Sequence, residues 1–327
     1  MDIDTPRALL IINPIAGNGK KAGLDAYIKS RLGRQGWSVD VTHTRGHGDA
    51  TALAAEAVAS AYDVVIAAGG DGTVNEVAAA LCDTPATLAI VPCGSGNGLA
   101  RHLGIPVDAK EAVDVMCNGK RSLVDYGLLN GHHFFCTCGM GFDAQVSVAF
   151  AAGKGRGLMS YLKSVAAEYR GYHPRRYHIV ADGGERTIDT TAVVLSVCNA
   201  SQYGNNAFIA PAAVSDDGHL DVTLVRPGSI ADYVMVAIRM LLGNIYGSRR
   251  VDAMRIRHVV IEADGGCPVH IDGEPMEIVG PIDIECRKGL RVVVPHERPQ
   301  FTPVITPLWA FSEDLRLRLK HLFGPGY

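Results

Sequence analysis

Three glycine-rich stretches stand out for the chemistry they permit: NPIAGNGKK at 13–21, GGDGTVNE at 69–76 and PCGSGNGLAR at 92–101. Glycine carries no Cβ, so backbone N–H groups in such stretches can close on phosphate oxygens, and a helix that follows adds the positive end of its dipole. One stretch alone reads as a tight strand-to-helix turn. Three, each after an apolar run, point to bound phosphate. Asp71 lies inside the second stretch. A carboxylate there would repel phosphate unless a divalent cation stood between them, so Asp71 implies magnesium. Neither the Walker spacing ending in Gly-Lys-Ser/Thr nor the Gly-x-Gly-x-x-Gly dinucleotide fingerprint occurs in these stretches. The eight cysteines lie mainly within apolar runs, and the closest pair, Cys136 and Cys138, has neither redox nor zinc spacing. They read as reduced thiols filling a core.

The elements that must position these loops follow from hydrophobic patterning. The pattern predicts strands at 8–12, 38–42, 64–67 and 87–91, alternating with helices at 20–34, 49–60, 73–81 and 108–117. Such alternation argues for a parallel sheet covered by helices, with the glycine loops beyond the carboxyl ends of its strands, where ligands bind. After about residue 125 the segments become short, β-branched and separated by turn residues, the signature of an antiparallel sheet architecture. Helices are expected at 156–170, 230–242 and 308–323. A chain of 327 residues has room for two cores, and 47% hydrophobic with 20% charged residues is an ordinary globular composition. The net charge of −3 gives no bulk attraction to nucleic acid or to an anionic membrane. An acidic N-terminus and the absence of any long apolar window predict a cytoplasmic protein, at most peripheral at the inner face of a membrane. A homodimer is left open.

GGDGTVNEV resembles the nucleotide-binding motif of the diacylglycerol kinase catalytic-domain superfamily, which includes bacterial soluble lipid kinases, sphingosine kinases and ceramide kinases. The likeness continues, in the family's order, through NPIAG, GSGNGLAR, VDYG at 124–127, GMGFDA at 139–144, PAAVSDDGHLDV at 211–222 and HIDGEP at 270–275. It implies an α/β nucleotide-binding domain over 1–125, a C-terminal antiparallel β-sandwich lipid-substrate domain over 126–297, a helical tail over 298–327 and an active site in the cleft between the domains. ATP and Mg2+ are the implied cofactors. Carried over by motif, Gly69, Gly70, Gly72, Thr73, Asn75, Glu76, Gly94, Ser95 and Asn97 would line the phosphates. Asn13 would shape the first loop, Thr44 would contact the nucleoside, and Asp71 would act on phosphate through magnesium. Glu274 takes the position of the general base, and Asp125 would help organise metal and phosphate; a hairpin turn and a structural joint are the respective competing readings. Asp217, with the carbonyls of Val214 and His219, would hold a second, structural magnesium, or else form an ordinary Asp-Gly turn.

The acceptor implied is a membrane lipid, which requires transient contact with a bilayer. Apolar stripes in 156–170 and in the tail, with Trp309 and Phe311, could supply that contact or dock on the protein's own core. Diacylglycerol is the leading acceptor. GSGNGLA, closer to the sphingosine kinase loop than to the common bacterial one, raises a sphingoid base as the alternative. An NAD kinase, and a silent nucleotide-binding protein, are the remaining readings. The retention of Asp71, Asp125 and Glu274 stands against the latter.

Overall fold

The computed structural model describes residues 5–16, 23–152, 171–265, 268–297 and 301–323. The chain divides into two compact units. The first comprises residues 1–124, 288–300 and 312–327, and the second residues 125–287 and 301–311.

In the first unit, strand β1 (Arg7–Ile12) leads through α1 (Leu24–Gly33) to β2 (Ser38–His43), and α2 (Asp49–Ala59) leads to β3 (Val64–Gly69). Then come α3 (Asp71–Leu81), β4 (Thr87–Pro92), α4 (Gly98–His102) and α5 (Ala109–Asn118). The strands pair in parallel in the order β2-β1-β3-β4. All six residues of β3 and of β4 are buried, as in strands covered on both faces. Leu10, Ile12, Ile66 and Ala68 share a core with Leu24, Ile28 and Leu32 of α1 and Val113 of α5. The alternate strand residues face α2 and α3, where Ala50, Ala54 and Ala57 recur at helical spacing on the buried side.

The second unit contains β5 (Lys120–Leu129) from Asp125 onward, β6 (His132–Phe134), β7 (Thr137–Gly141), α6 (Phe142–Ala152), β8 (Arg175–Ala181), β9 (Arg186–Ala192) and β10 (Val194–Cys198). These are followed by β11 (Leu220–Val225), α7 (Ile230–Leu241), β12 (Val251–Ile256), β13 (His258–Ala263), β14 (Val269–Ile271) and β15 (Glu274–Met276). The long strand β16 (Ile282–Val294) pairs at its start with β13 in the second unit and at its end, through Val292 and Leu88, with β4 in the first. One antiparallel sheet runs β12-β11-β10-β7-β14-β15, and β13, β8 and β9 extend another. Leu195, Val197 and Val222 from the former meet Tyr177, Ile179, Val259 and Ile284 from the latter in one core. This is a β-sandwich.

Some boundaries differ from those expected. The helix expected at 156–170 lies outside the described residues. Helix α3 starts at Asp71 rather than Thr73, because Gly70 is extended (φ −87°, ψ −174°) and serves as its N-cap. Asp71 and Gly72 are therefore helical. The last helix, α8 (Ile305–Phe323), begins ahead of Pro307, where a first-turn proline needs no acceptor for its missing N–H. The third glycine stretch ends in a short helix, α4, and GMGFDA opens α6. Among the described residues, no helix is long and apolar enough to cross a membrane.

Candidate active site

Asn13 follows β1 and ties the first loop to the second. Its N–H donates to the Ala68 carbonyl at 3.0 Å, and its Nδ2 donates to Thr73 Oγ1 at 2.9 Å. Thr44, buried just beyond β2, donates its N–H to the Ile12 carbonyl at 2.9 Å. Both residues thus sit at the carboxyl edge of the parallel sheet. Residues 17–22 of the first loop lie outside the described residues.

The glycines of the second and third loops answer first to one another. A Cβ on Gly94 would lie 2.6 Å from Gly70 Cα, one on Gly69 2.5 Å from Thr73 Cβ, and one on Gly96 2.7 Å from Asp71 Oδ2. Close approach of two backbones therefore already demands glycine at 94, and the side chains of Thr73 and Asp71 crowd 69 and 96, before any ligand is considered. Asp71 completes the junction: its Oδ2 accepts from Asn97 N–H at 2.8 Å and its Oδ1 from Gly98 N–H at 2.6 Å. Asn97, expected to reach toward phosphate, adopts positive φ (52°) and exchanges two side-chain bonds with the backbone of Gly94. Arg101 holds the same loop from behind, with Nε donating to the Gly96 carbonyl at 3.0 Å and Nη2 to Asp314 at 2.7 Å.

These bonds decide between two candidate phosphate sites. The opening amides of α4 are already answered by Asp71, whereas α3 has no side-chain cap. The first-turn amides of α3, at Asp71, Gly72 and Thr73, have no acceptor within the helix and carry the positive end of an 11-residue dipole. Asn75 lies one turn further along α3, and Ser95 is exposed on the third loop. Glu76 is a correction. Its two oxygens accept from Gly48 N–H at 2.9 Å and Ala50 N–H at 3.0 Å, so its carboxylate caps α2 instead of lining the glycine loops.

Magnesium fits at Asp71. Each oxygen takes one N–H and keeps a lone pair, and among the described residues no basic side chain pairs with it. The charge is anchored yet uncompensated.

Glu274 is exposed at the start of β15, just after the two-residue turn Asp272-Gly273. Both turn residues have positive φ (49° and 88°), the geometry of a type I′ hairpin. The hairpin is held from two sides. Asp272 accepts from the N–H groups of Phe135, Cys136 and Thr137, each at 2.8 Å. Buried His270 accepts at Nδ1 from Gly273 N–H at 3.3 Å, which places its proton on Nε2, 3.2 Å from buried Asp143 Oδ2. Tyr203 donates to the same oxygen at 3.0 Å.

Asp125 is 1% exposed. Its Oδ2 accepts from Gly218 N–H at 2.7 Å, its N–H donates to the Ser215 carbonyl, and its carbonyl accepts from Asn199 Nδ2. The expected organiser of metal and phosphate therefore braces the 215–218 turn, because its carboxylate is turned onto that backbone. On that turn, Asp217 accepts from His219 N–H at 3.1 Å and pairs with Arg255. Val214 is exposed. Asp221 is close enough to feel Asp217, and burial pushes its carboxyl up to about 6. Among the described residues no three His, Cys, Asp or Glu side chains are grouped to hold a metal ion. A cation at Asp217 would have to displace Arg255.

The profile described as the diacylglycerol kinase catalytic domain matches residues 7–129, and that of the YegS C-terminal NAD kinase beta sandwich-like domain matches residues 136–294. A "Probable lipid kinase YegS-like" of Pseudomonas syringae pv. syringae is 30% identical over 90% of this chain and 95% of its own length. The chain belongs to the diacylglycerol kinase and YegS-like lipid kinase family. A relative from Bacillus subtilis named "Diacylglycerol kinase" is 27% identical to this lipid kinase, over 90% of the chain and 98% of the relative. The crystal structure of a diacylglycerol kinase from Bacillus anthracis shares the fold, with a TM-score of 0.68 at 24% identity over 88% of this chain and 96% of that one. The NAD kinase reading gives way, its trace surviving in the likeness of the sandwich.

In this kinase the loops carrying Asn13, Gly70, Asp71, Gly94 and Asn97 come together as the glycine pattern predicts, whereas Glu76 and Asp125 brace neighbouring backbone. Sequence reasoning missed His270, Asp272, Asp143 and Tyr203, the mount of Glu274. The signal for His270, Asp272 and Asp143 was present in HIDGEP and GMGFDA, where each polar residue near a glycine deserved a partner; nothing in the sequence pointed to Tyr203.

Asp272 gives the kinase a pH signature. Burial pushes its carboxyl up to about 6, against the lowering pull of its three N–H bonds. The folded pKa lies above the unfolded one, so the associated stabilisation is complete below the unfolded value of about 4 and is lost as pH rises through about 6. The Tm difference between wild type and Asp272→Asn should therefore shift toward wild type as pH falls from about 7 to about 5, while Asp221 acts equally in both proteins. A difference constant over that range would exclude Asp272 as the titrating group.

Proposed function

We propose that this kinase transfers the γ-phosphoryl group of ATP to the free hydroxyl of diacylglycerol, forming phosphatidic acid and ADP. The observation that carries the reading is the mount of Glu274: an exposed carboxylate at a rigid hairpin, fixed by buried His270 and Asp272. A neutral alcohol is a weak nucleophile, and a fixed carboxylate that takes its proton assists attack on the γ-phosphorus as the bond to the β-phosphate oxygen breaks in line. The open amides of α3 would hold the phosphates, with Ser95 at their edge and Asn13 and Thr44 shaping the nucleotide end. Magnesium, held by Asp71, would neutralise charge on the phosphate oxygens. Diacylglycerol is favoured by the Bacillus subtilis relative, which this chain matches nearly end to end. A sphingoid base is the second reading, favoured by GSGNGLA.

Incubation with labelled ATP, magnesium and mixed micelles of diacylglycerol or sphinganine tests the assignment. Labelled phosphatidic acid is the expected product. Label on sphinganine alone would transfer the assignment to the second reading, and label on neither would refute both.

We also propose that Asp217, with the carbonyls of Val214 and His219, takes up a structural magnesium by exchanging its partner Arg255 for the ion. Added magnesium should then raise the Tm of wild type but not of Asp217→Ala. Equal melting with and without magnesium would leave Arg255 as the sole counter-ion.

A further inference from the structure

Helix α7 is inverted in polarity for a surface helix. Every exposed residue along it is apolar, and Ile230, Val234, Ile238 and Leu241, at 64%, 54%, 44% and 49% exposure, form a stripe at helical spacing. Only Val236 is buried. The stripe continues onto the start of α8. Val304 N–H donates to the Leu242 carbonyl at 2.8 Å, and Gly243 lies so close to the Phe301 ring that a Cβ would come within 2.5 Å of it. From that junction Ile305, Leu308, Trp309 and Phe311 project with more than half of their surface exposed. An apolar surface this continuous marks an interaction site rather than scattered exposure.

Its flank says what the partner is. Met235 of α7 also lines a cavity of about 710 Å³ shared with Arg226, Arg239, Arg249 and Arg250. Asp252 pairs with Arg226 at 2.9 Å and Asp232 with Arg250 at 3.2 Å. Among the described residues, Arg239 and Arg249 make no ion pair. An apolar stripe beside surplus guanidinium groups is complementary to a surface that is apolar within and anionic at its edge. A second copy of the chain fits poorly, since a two-fold contact sets each patch against itself and would bring the arginines together.

We infer that this face docks on an anionic lipid bilayer, with the stripe of α7 and the start of α8 entering the boundary between headgroups and acyl chains and Arg239 and Arg249 meeting lipid phosphates. The inference goes beyond the kinase reading, because docking requires neither nucleotide nor acceptor. The full chain, without ATP, is floated with phosphatidylcholine vesicles that contain or lack phosphatidylglycerol. Binding should favour the anionic vesicles and weaken about tenfold in Val234→Glu/Ile238→Glu and again in Arg249→Glu. Ile238→Trp should keep it. Melting, and phosphorylation of a water-soluble short-chain acceptor, should be unchanged in all three, so failure of the kinase assignment would leave the flotation result standing. Equal binding to both vesicles, or glutamate variants that float like wild type, would overturn the inference. So would a wild-type dimer in sedimentation that Ile238→Glu converts to monomer without altering flotation.

Discussion

Glu274→Gln should lower kcat by about a thousandfold, within the range that a positioned general base contributes. The amide keeps the length and shape of the side chain but cannot take the alcohol proton. Because Glu274 is exposed and the hairpin is held by Asp272 and His270, the Tm should stay at the wild-type value. The KM for ATP should also stay near wild type, since loss of a base acts in the transition state and not on nucleotide binding. Steady-state kinetics with saturating acceptor separates these quantities. A variant retaining near-normal kcat would remove Glu274 from the role of base.

Asp71→Asn should be comparably damaging by a different route. The carboxylate accepts two N–H groups, from Asn97 and Gly98, one on each oxygen. An amide can offer its oxygen to only one, and its NH2 must then face the other donor, leaving a polar group unsatisfied at the junction of two loops. The charge that would hold magnesium disappears at the same time. We expect kcat/KM for ATP to fall by about a thousandfold or more, from loss of the electrostatic support of the phosphates, and the Tm to fall by a few degrees. Titration of activity with magnesium discriminates between the two functions of Asp71. If it only caps α4, the variant's magnesium dependence will match wild type; if it also holds the cation, half-saturation will move to higher magnesium.

The contrast between these residues shows what the sequence discloses. Glu274 sits beside an Asp-Gly pair that announces its own hairpin, so both its element and its exposure follow from local chemistry. The glycine loops were legible for the same reason, since strand, glycine and helix are adjacent in the chain. The partners of side chains were not. His270 and Asp143 are 127 residues apart, and Asp125 meets Gly218 across 93, so only the folded sandwich joins them. Nor does sequence say which of several donors a carboxylate will choose: Glu76, one helical turn from the glycines, turned to the start of α2 because those amides had no other cap. The glycines themselves were placed correctly but for an incomplete reason, as Gly94 is required by the backbone of Gly70 before any phosphate is considered.

The strand Ile282–Val294 has a consequence for how the chain comes off the ribosome. The first unit holds residues 1–124 but also 288–300 and the stretch from Ser312. Its sheet gains its last parallel neighbour only when Val292 reaches Leu88, and the end of that strand packs so tightly on Gly119 that a Cβ there would meet the Val294 carbonyl. The N-terminal segment is therefore not finished when it emerges. It must remain unsealed along one strand edge while some 160 further residues are synthesised, a pairing of very high sequence separation whose closure is slow by nature. Nascent chains shorter than about 295 residues should accordingly be the forms most dependent on chaperones, and a cut placed at the apparent boundary near residue 125 would yield an open-edged fragment rather than a free-standing nucleotide domain.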